Sequence, residues 1–355
     1  MPRRPKYIFA DEPRRGHGFL IGLLVVILLL FAVIFTVNFA QNHTVAYSTE
    51  YVTLPNLPSP LENWTILHLS DLNGISIGEQ QSAIRNVIGT KSYSCVVLSG
   101  NMVGPRGDVQ PVLDLVNALP SSTPVLLLPG DDDPSLYMTT ASSSLSPYAE
   151  WAQQLQAAGV TILDEPVSFQ RERSTIWFIP VYLYELDLDN TLEGYQNQLN
   201  GLNAKVEPLT ADEAAVKRNA EFQIERISRI RETLGTIKAT DIQVAVSHMP
   251  LTKEYVVQAK ATIPEKTVLS MHHVSLVLAG GYCAGQWRIP GGGAIWAPEM
   301  GFFPEDTLIT GMSYLSGVRQ HISPGLGASS LYPLLPFRLF NSPAVTRLVL
   351  TTRVH

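Results

Sequence analysis

Ile66-Leu67-His68-Leu69-Ser70-Asp71-Leu72-Asn73 is an apolar run that breaks on a serine and an aspartate. With Trp64-Thr65 before it, the run reads as a short strand from Trp64 to Leu69 that opens into a polar loop. The figure recurs along the chain. Ser94 to Leu98 is a second strand and leads to Gly100-Asn101; Val125 to Leu128 is a third and leads to Gly130-Asp131-Asp132-Asp133. Helical stretches separate them, at Gln80 to Ile88, Val109 to Leu119 and Ala149 to Ala158. Strands alternating with helices predict a layered α/β sheet, with ligands bound at the carboxyl ends of its strands. The polar loops all fall at such ends, including Ser247 to Pro250 and Gly280 to Gln286.

Working outward, residues 184–235 read as a polar connection followed by a long helix. Thr210 and Glu213 have the spacing of a capping box. The charges from Lys217 to Glu232 read as a solvated face. Taken alone, Asp131-Asp132-Asp133-Pro134 is an acidic turn, and His248 a strand-end histidine with no further role. His272 and His273 are adjacent and so point different ways, which does not make a metal clip. Gly291-Gly292-Gly293 lacks the spacing and lysine of a phosphate loop and reads as a turn. Two cysteines, Cys95 and Cys283, are too few for a disulfide framework, and Cys95 lies in an apolar run where it serves as a small hydrophobe.

At the amino terminus, Phe19 to Val37 is uncharged and almost wholly apolar. A helix of roughly 20 residues crosses a hydrocarbon core about 30 Å thick. The run is longer than the apolar core of a signal peptide, and Asn38-Phe39-Ala40 is a poor cleavage site, so an uncleaved anchor is expected over residues 18–40. Arg3, Arg4, Lys6, Arg14 and Arg15 precede it, whereas Asn38 to Ser48 carries no lysine or arginine. That asymmetry predicts a single-pass protein of the cell membrane, with residues 1–17 in the cytoplasm and the body outside. Residues 41–62, punctuated by Pro55, Pro58 and Pro60, read as an extended linker to a domain over 63–355. A net charge of −6 with no basic cluster in the body argues against nucleic acid as a partner. The membrane is the partner that the sequence names.

The loops, taken in order, resemble those of the calcineurin-like metallophosphoesterases, which read roughly SDxH, GD, GNHD, SHxP and GHTHGGQ. Here they are Ser70-Asp71-Leu72-Asn73, Gly100-Asn101, Gly130-Asp131-Asp132-Asp133, Ser247-His248-Met249-Pro250 and Gly280-Gly281-Tyr282-Cys283-Ala284-Gly285-Gln286. The ending, His321 to Gly327 with Pro336-Phe337-Arg338 and Asn341-Ser342-Pro343, is similar to that of the membrane-associated, YkuE-like branch. The resemblance covers about residues 64–352 and is weakest over 184–235. It implies a layered β-sandwich flanked by helices, the metallophosphoesterase fold, behind one transmembrane helix. It also implies a two-metal site that hydrolyses phosphate esters.

Position by position, the first metal's ligands become Asp71, Asn73, Asn101 and Cys283, and the second's become Asn101, Asp131, His248 and Gly281. Asp71 and His248 alone keep the family residue. Asp132 stands where the family has its proton-donating histidine, and Asp133, which matches, orients that histidine in the family. Two dications a few ångströms apart need shared anionic charge between them, and the neutral amide of Asn101 supplies none. Asp132, ordinarily ionised near neutral pH, is a poor proton donor. Two readings stay open. One is a catalytically degraded phosphoesterase without a metal cofactor, which binds a phosphorylated or envelope ligand or a partner. The other is an active phosphoesterase with one divalent ion held by Asp71, Asn73, Asp131, His248 and Cys283. Magnesium, manganese or calcium would suit the oxygens, and zinc the thiolate.

Overall fold

A computed structural model of the chain describes residues 16–329 and 337–353. The basic residues from Arg3 to Arg15 and Pro336 of the closing motif lie outside the described residues. The first elements are α1 (Gly16–Asn42), β1 (Ala46–Thr53), β2 (Thr65–Leu69), α2 (Ser82–Ile88), β3 (Cys95–Ser99), α3 (Gln110–Asn117), β4 (Val125–Leu128) and α4 (Glu150–Ala157). Next come β5 (Val160–Ile162), β6 (Val167–Arg171), β7 (Ser174–Pro180), α5 (Leu188–Asn203), α6 (Ala211–Leu234), β8 (Ile242–Val246), α7 (Lys253–Thr262) and β9 (Val274–Ala279). The chain closes with β10 (Trp287–Arg288), β11 (Ala294–Ala297), β12 (Gly301–Phe302), β13 (Gly311–Leu315), β14 (Val318–Ile322) and β15 (Ala344–Thr351).

Two six-stranded sheets form the body, in the orders β1-β15-β2-β3-β4-β5 and β13-β14-β9-β8-β7-β6; β10, β11 and β12 make a small third sheet. The central strands are parallel and apolar on both faces, as strands covered on both sides must be. Alternation along β3 shows how this works. Cys95 and Val97 join Ile66, Leu126 and Leu348 in a cluster shared with Ile176, Phe178, Val244 and Leu276 of the other sheet. Val96 and Leu98 face the opposite way, onto Ile84, Val112, Leu115 and Leu155 of the helices. On the far side Trp177, Ile179, Ala245 and Val277 pack with Ile230 of α6 and Val256 of α7. The result is four layers, helices outside and two sheets face to face. Each fully buried leucine or phenylalanine in them contributes roughly 1.5–3 kcal/mol.

Three findings differ from the expectations. Of the stretch 41–62, Gln41 and Asn42 end α1, Ser59–Leu61 is a 3-10 turn, and Ala46–Thr53 is the edge strand of the first sheet, paired in parallel with β15. Polar Tyr47, Ser48 and Glu50 hide it in the sequence, because an edge strand needs burial on only part of its surface. The expected polar connection before the long helix holds a helix of its own, α5, whose N-terminus is capped by the Asp187 carboxylate accepting from the Asp189 and Asn190 amides. On α6 the Thr210–Glu213 capping box is present. Arg226, read as part of a solvated face, is instead buried and ion-paired to Asp164 at 3.5 Å.

Strand register decides where the first helix enters. β15 runs antiparallel to β2 with Thr346 opposite His68, so the start of β15 lies at the carboxyl end of β2. Because Ala46 pairs with Ala344, β1 begins at that same edge. α1 is long and apolar enough to cross a membrane and therefore ends beside the polar loops. It is also fastened there. Asn38 Oδ1 accepts from the Phe340 amide at 2.9 Å, and Asn42 Nδ2 donates to the Arg338 carbonyl at 3.0 Å.

Candidate functional site

The loops that end β2, β3, β8, β9 and β14 are laced together by backbone hydrogen bonds. Asp71 N–H donates to Gly100 O, Asn73 N–H to Asn101 O, Gly280 N–H to His248 O, and Leu326 N–H to Ser70 O, all within 2.8–3.0 Å. Asp71, Asn73, Asn101 and Cys283, four of the seven candidate ligand positions, sit in the left-handed region at φ of 50–55°. Such backbone costs on the order of 1–2 kcal/mol per residue away from glycine and concentrates at functional sites.

The structure brings Asp71, His248 and Cys283 into one buried cluster. The Asp71 carboxylate accepts from the Ser70 hydroxyl at 2.5 Å and from the Gly281 amide at 3.0 Å through the same Oδ2. Burial pushes this carboxyl above the usual range, opposed chiefly by His248. His248 Nδ1 lies 3.2 Å from the Ser99 carbonyl, and its ring fills the space a side chain at Gly100 would need. Burial, then the charge of Asp71, pushes the Cys283 thiol up, so it stays protonated.

The remaining positions are engaged only in part, and Asn73 Oδ1 is buried with no hydrogen-bond partner among the described residues. Asn101 Oδ1 accepts from the Asp132 amide at 2.9 Å, and Asn73 Nδ2 donates to the Ala328 carbonyl at 3.0 Å. Asp131 is exposed at the rim. Gly281 has φ of 88°, and a Cβ there would lie 2.4 Å from Met249 Sδ, so Met249 fills the space beside it. Among the described residues no group of three or more His, Cys, Asp or Glu side chains is placed to hold a metal ion.

Asp133 is a clasp. Its two oxygens accept from the amides of Met102, Val103, Gly104 and Gly130 at 2.9–3.2 Å, which ties the loop after β3 to the loop after β4. Asp133→Asn replaces one acceptor with an NH2 facing amide protons. It should lower stability by about 2–3 kcal/mol, read as a shift of the urea midpoint. An unshifted midpoint would show that the clasp contributes nothing.

Sequence reading missed four parts of this region. Arg338 is wholly buried, donating through Nε to Asn341 O at 2.9 Å and through its Nη atoms to Gly327 O at 2.7 Å and Pro324 O at 3.0 Å. It adds positive charge near Asp71 and Cys283. His68 and His321 meet between the sheets, Nδ1 to Nδ1, at 2.7 Å. Met249 was passed over as the variable position of its motif. A fourth group walls the neighbouring cleft: Asp164 accepts from Tyr137 and Tyr148 at 2.8 and 2.9 Å and pairs with Arg226. The closing motif flagged Arg338, but nothing local to it signals burial.

Two cavities border the loops. One, of about 470 Å³, is lined by Asp131, His248, Met249, Tyr137, Tyr182 and Glu185 among others, and no lysine or arginine among the described residues lines it. The other, of about 550 Å³, lies between α1 and the loops after β2 and β3. His272 and His273 stand apart from both, each bound through Nε2 to a backbone carbonyl, of Lys260 and Glu265.

No protein-family model matches the chain, and no curated protein matches it in sequence. Among solved structures it is similar to phosphopantetheinyl hydrolase (PptH) from Mycobacterium tuberculosis, at 14% identity over 74% of this chain and 89% of that one, with a TM-score of 0.36. That score marks a distant, hydrolase-like neighbour and is too low to carry the neighbour's fold or reaction across. What stands is a mixed α/β protein with two large sheets and an apolar N-terminal helix.

Proposed function

We propose that this chain is a membrane-anchored binding protein on a metallophosphoesterase-like scaffold, with a strand-end site that no longer assembles a two-metal centre. The observation that carries this reading is the position shared by the two metal sites, where Asn101 is a neutral amide whose Oδ1 is taken by the Asp132 amide. At Asp71, Oδ2 already takes two donors. Burial and the charge of Asp71 push the Cys283 thiol up, and Met249 fills the space beside Gly281. These residues do not fit a pair of divalent ions. Nor does the adjoining cleft complement a phosphate, because Asp131 and Glu185 line it and Arg226 is spent on Asp164. It suits a neutral or cationic group seated against tyrosines.

The anchor reading gains support from Asn38 and Asn42, whose bonds to the body would be lost on cleavage before residue 43. In this reading residues 1–15 lie in the cytoplasm, α1 spans the membrane, and the body from Ala46 onward faces the other side.

The test uses the full chain in detergent. After incubation with Mn2+ or Zn2+ and desalting, we expect metal far below one ion per chain. Turnover of bis(p-nitrophenyl) phosphate should not exceed the protein-free control. Stoichiometric metal together with turnover abolished by Asp71→Ala and His248→Ala would sink the proposal and establish the one-metal phosphoesterase.

A further inference from the structure

We propose that the cavity of about 550 Å³ between α1 and the strand-end loops binds an anionic phospholipid. The inference rests on α1 being a retained anchor. One wall of the cavity is a single face of that helix, with Phe35, Asn38, Phe39 and Asn42 at the i, i+3, i+4, i+7 spacing. The uncharged apolar run ends at Val37. Phe35 to Asn42 therefore climbs about 10 Å from the last turn in hydrocarbon into the headgroup layer. A cavity opening at this level meets lipid before it meets any soluble molecule.

The opposite wall chooses the headgroup. Arg106 is exposed at the rim, where a lipid phosphate would lie. Asp108 shares that wall, with Oδ1 accepting from the Gln110 amide at 3.3 Å. Asn73 also lines the cavity. Its amide orientation is fixed by Nδ2 donating to the carbonyls of Ala328 and Asp71, while its buried Oδ1 accepts no hydrogen bond among the described residues. Phosphatidylglycerol brings a net anionic phosphate to Arg106, whereas ethanolamine and choline headgroups carry no net charge.

The experiment is native mass spectrometry of the full chain released from nanodiscs holding equal parts phosphatidylglycerol, phosphatidylethanolamine and phosphatidylcholine. One phosphatidylglycerol should stay bound. Arg106→Gln should cut its enrichment over phosphatidylethanolamine about fivefold, the ~1 kcal/mol that one arginine gains near anionic headgroups. Ile75→Trp, on the cavity wall and 43% exposed, should displace the lipid while leaving the urea midpoint unchanged. The proposal is overturned if phosphatidylcholine is retained equally, or if Ile75→Trp folds normally and keeps the lipid. Displacement by excess glycerol phosphate would also overturn it, by reassigning the cavity to a soluble phosphate. Carbonate extraction of membranes separates the two readings: a released chain sinks the anchor, whereas a retained chain without lipid sinks this proposal alone.

Discussion

Arg338→Met should cost about 3–5 kcal/mol of stability, the largest loss expected from any single substitution considered. The guanidinium joins three carbonyls from two stretches of chain, Pro324, Gly327 and Asn341, at 2.7–3.0 Å. Methionine fills much of the volume and supplies no donor, so three buried acceptors lose charge-assisted bonds together. Burial lowers the proton affinity of Arg338, yet a guanidinium keeps its charge. Urea unfolding in detergent would measure the loss. Arg338→Lys separates charge from shape: one ammonium cannot span three carbonyls as the planar fork does, so most of the loss should persist. A lysine variant as stable as the parent would mean that charge beside Asp71 is all the site requires.

Stability should fall steeply between pH 7 and pH 5. Burial pushes His321 down to about 3; burial and then the charge of His321 push His68 well below its ordinary value. With Nδ1 atoms 2.7 Å apart, one ring donates and the other accepts; protonating the acceptor sets N–H against N–H, and protonating the donor on Nε2 buries a charge. The outer ring nitrogens offer limited relief. His68 Nε2 lies on the Ser99 hydroxyl at 2.8 Å, and His321 Nε2 is 3.9 Å from a half-buried Glu50. Unfolded, each histidine titrates near 6.5. Below that pH the unfolded chain binds more protons than the folded one, so stability is full above about 6.5 and declines as pH falls toward the folded values. At pH 5 the loss is about 2 kcal/mol per histidine, or about 4 for the pair. Glu50, Asp71 and Asp133, all raised by burial, have the opposite sign and soften the decline at the acid end. The readout is the slope of the urea midpoint against pH. A flat profile would refute the prediction, as would an unchanged slope in His68→Gln/His321→Gln.

The parallel strands were legible because both-face burial leaves unbroken apolar runs, as at Cys95–Ser99 and Val125–Leu128. The Thr210 cap was legible because both its partners lie within one turn. Loop positions followed from where those runs stop. β1 was not legible, since an edge strand carries a weak pattern and its partner, β15, lies at the other end of the chain. Nor was the buried state of Arg226, because helical spacing gives a face but not what lies against it.

By itself, the sequence determined the α/β alternation, the apolar N-terminal helix and the loops that gather at strand ends, all properties of neighbours along the chain. Tertiary structure alone decided that Met249 fills the space beside Gly281, that Arg338 comes to rest near Asp71, and that His68 finds His321. It also set the end of α1 against those loops. Each of these depends on register and packing between distant segments, where contact is made by folding and has no period to be read.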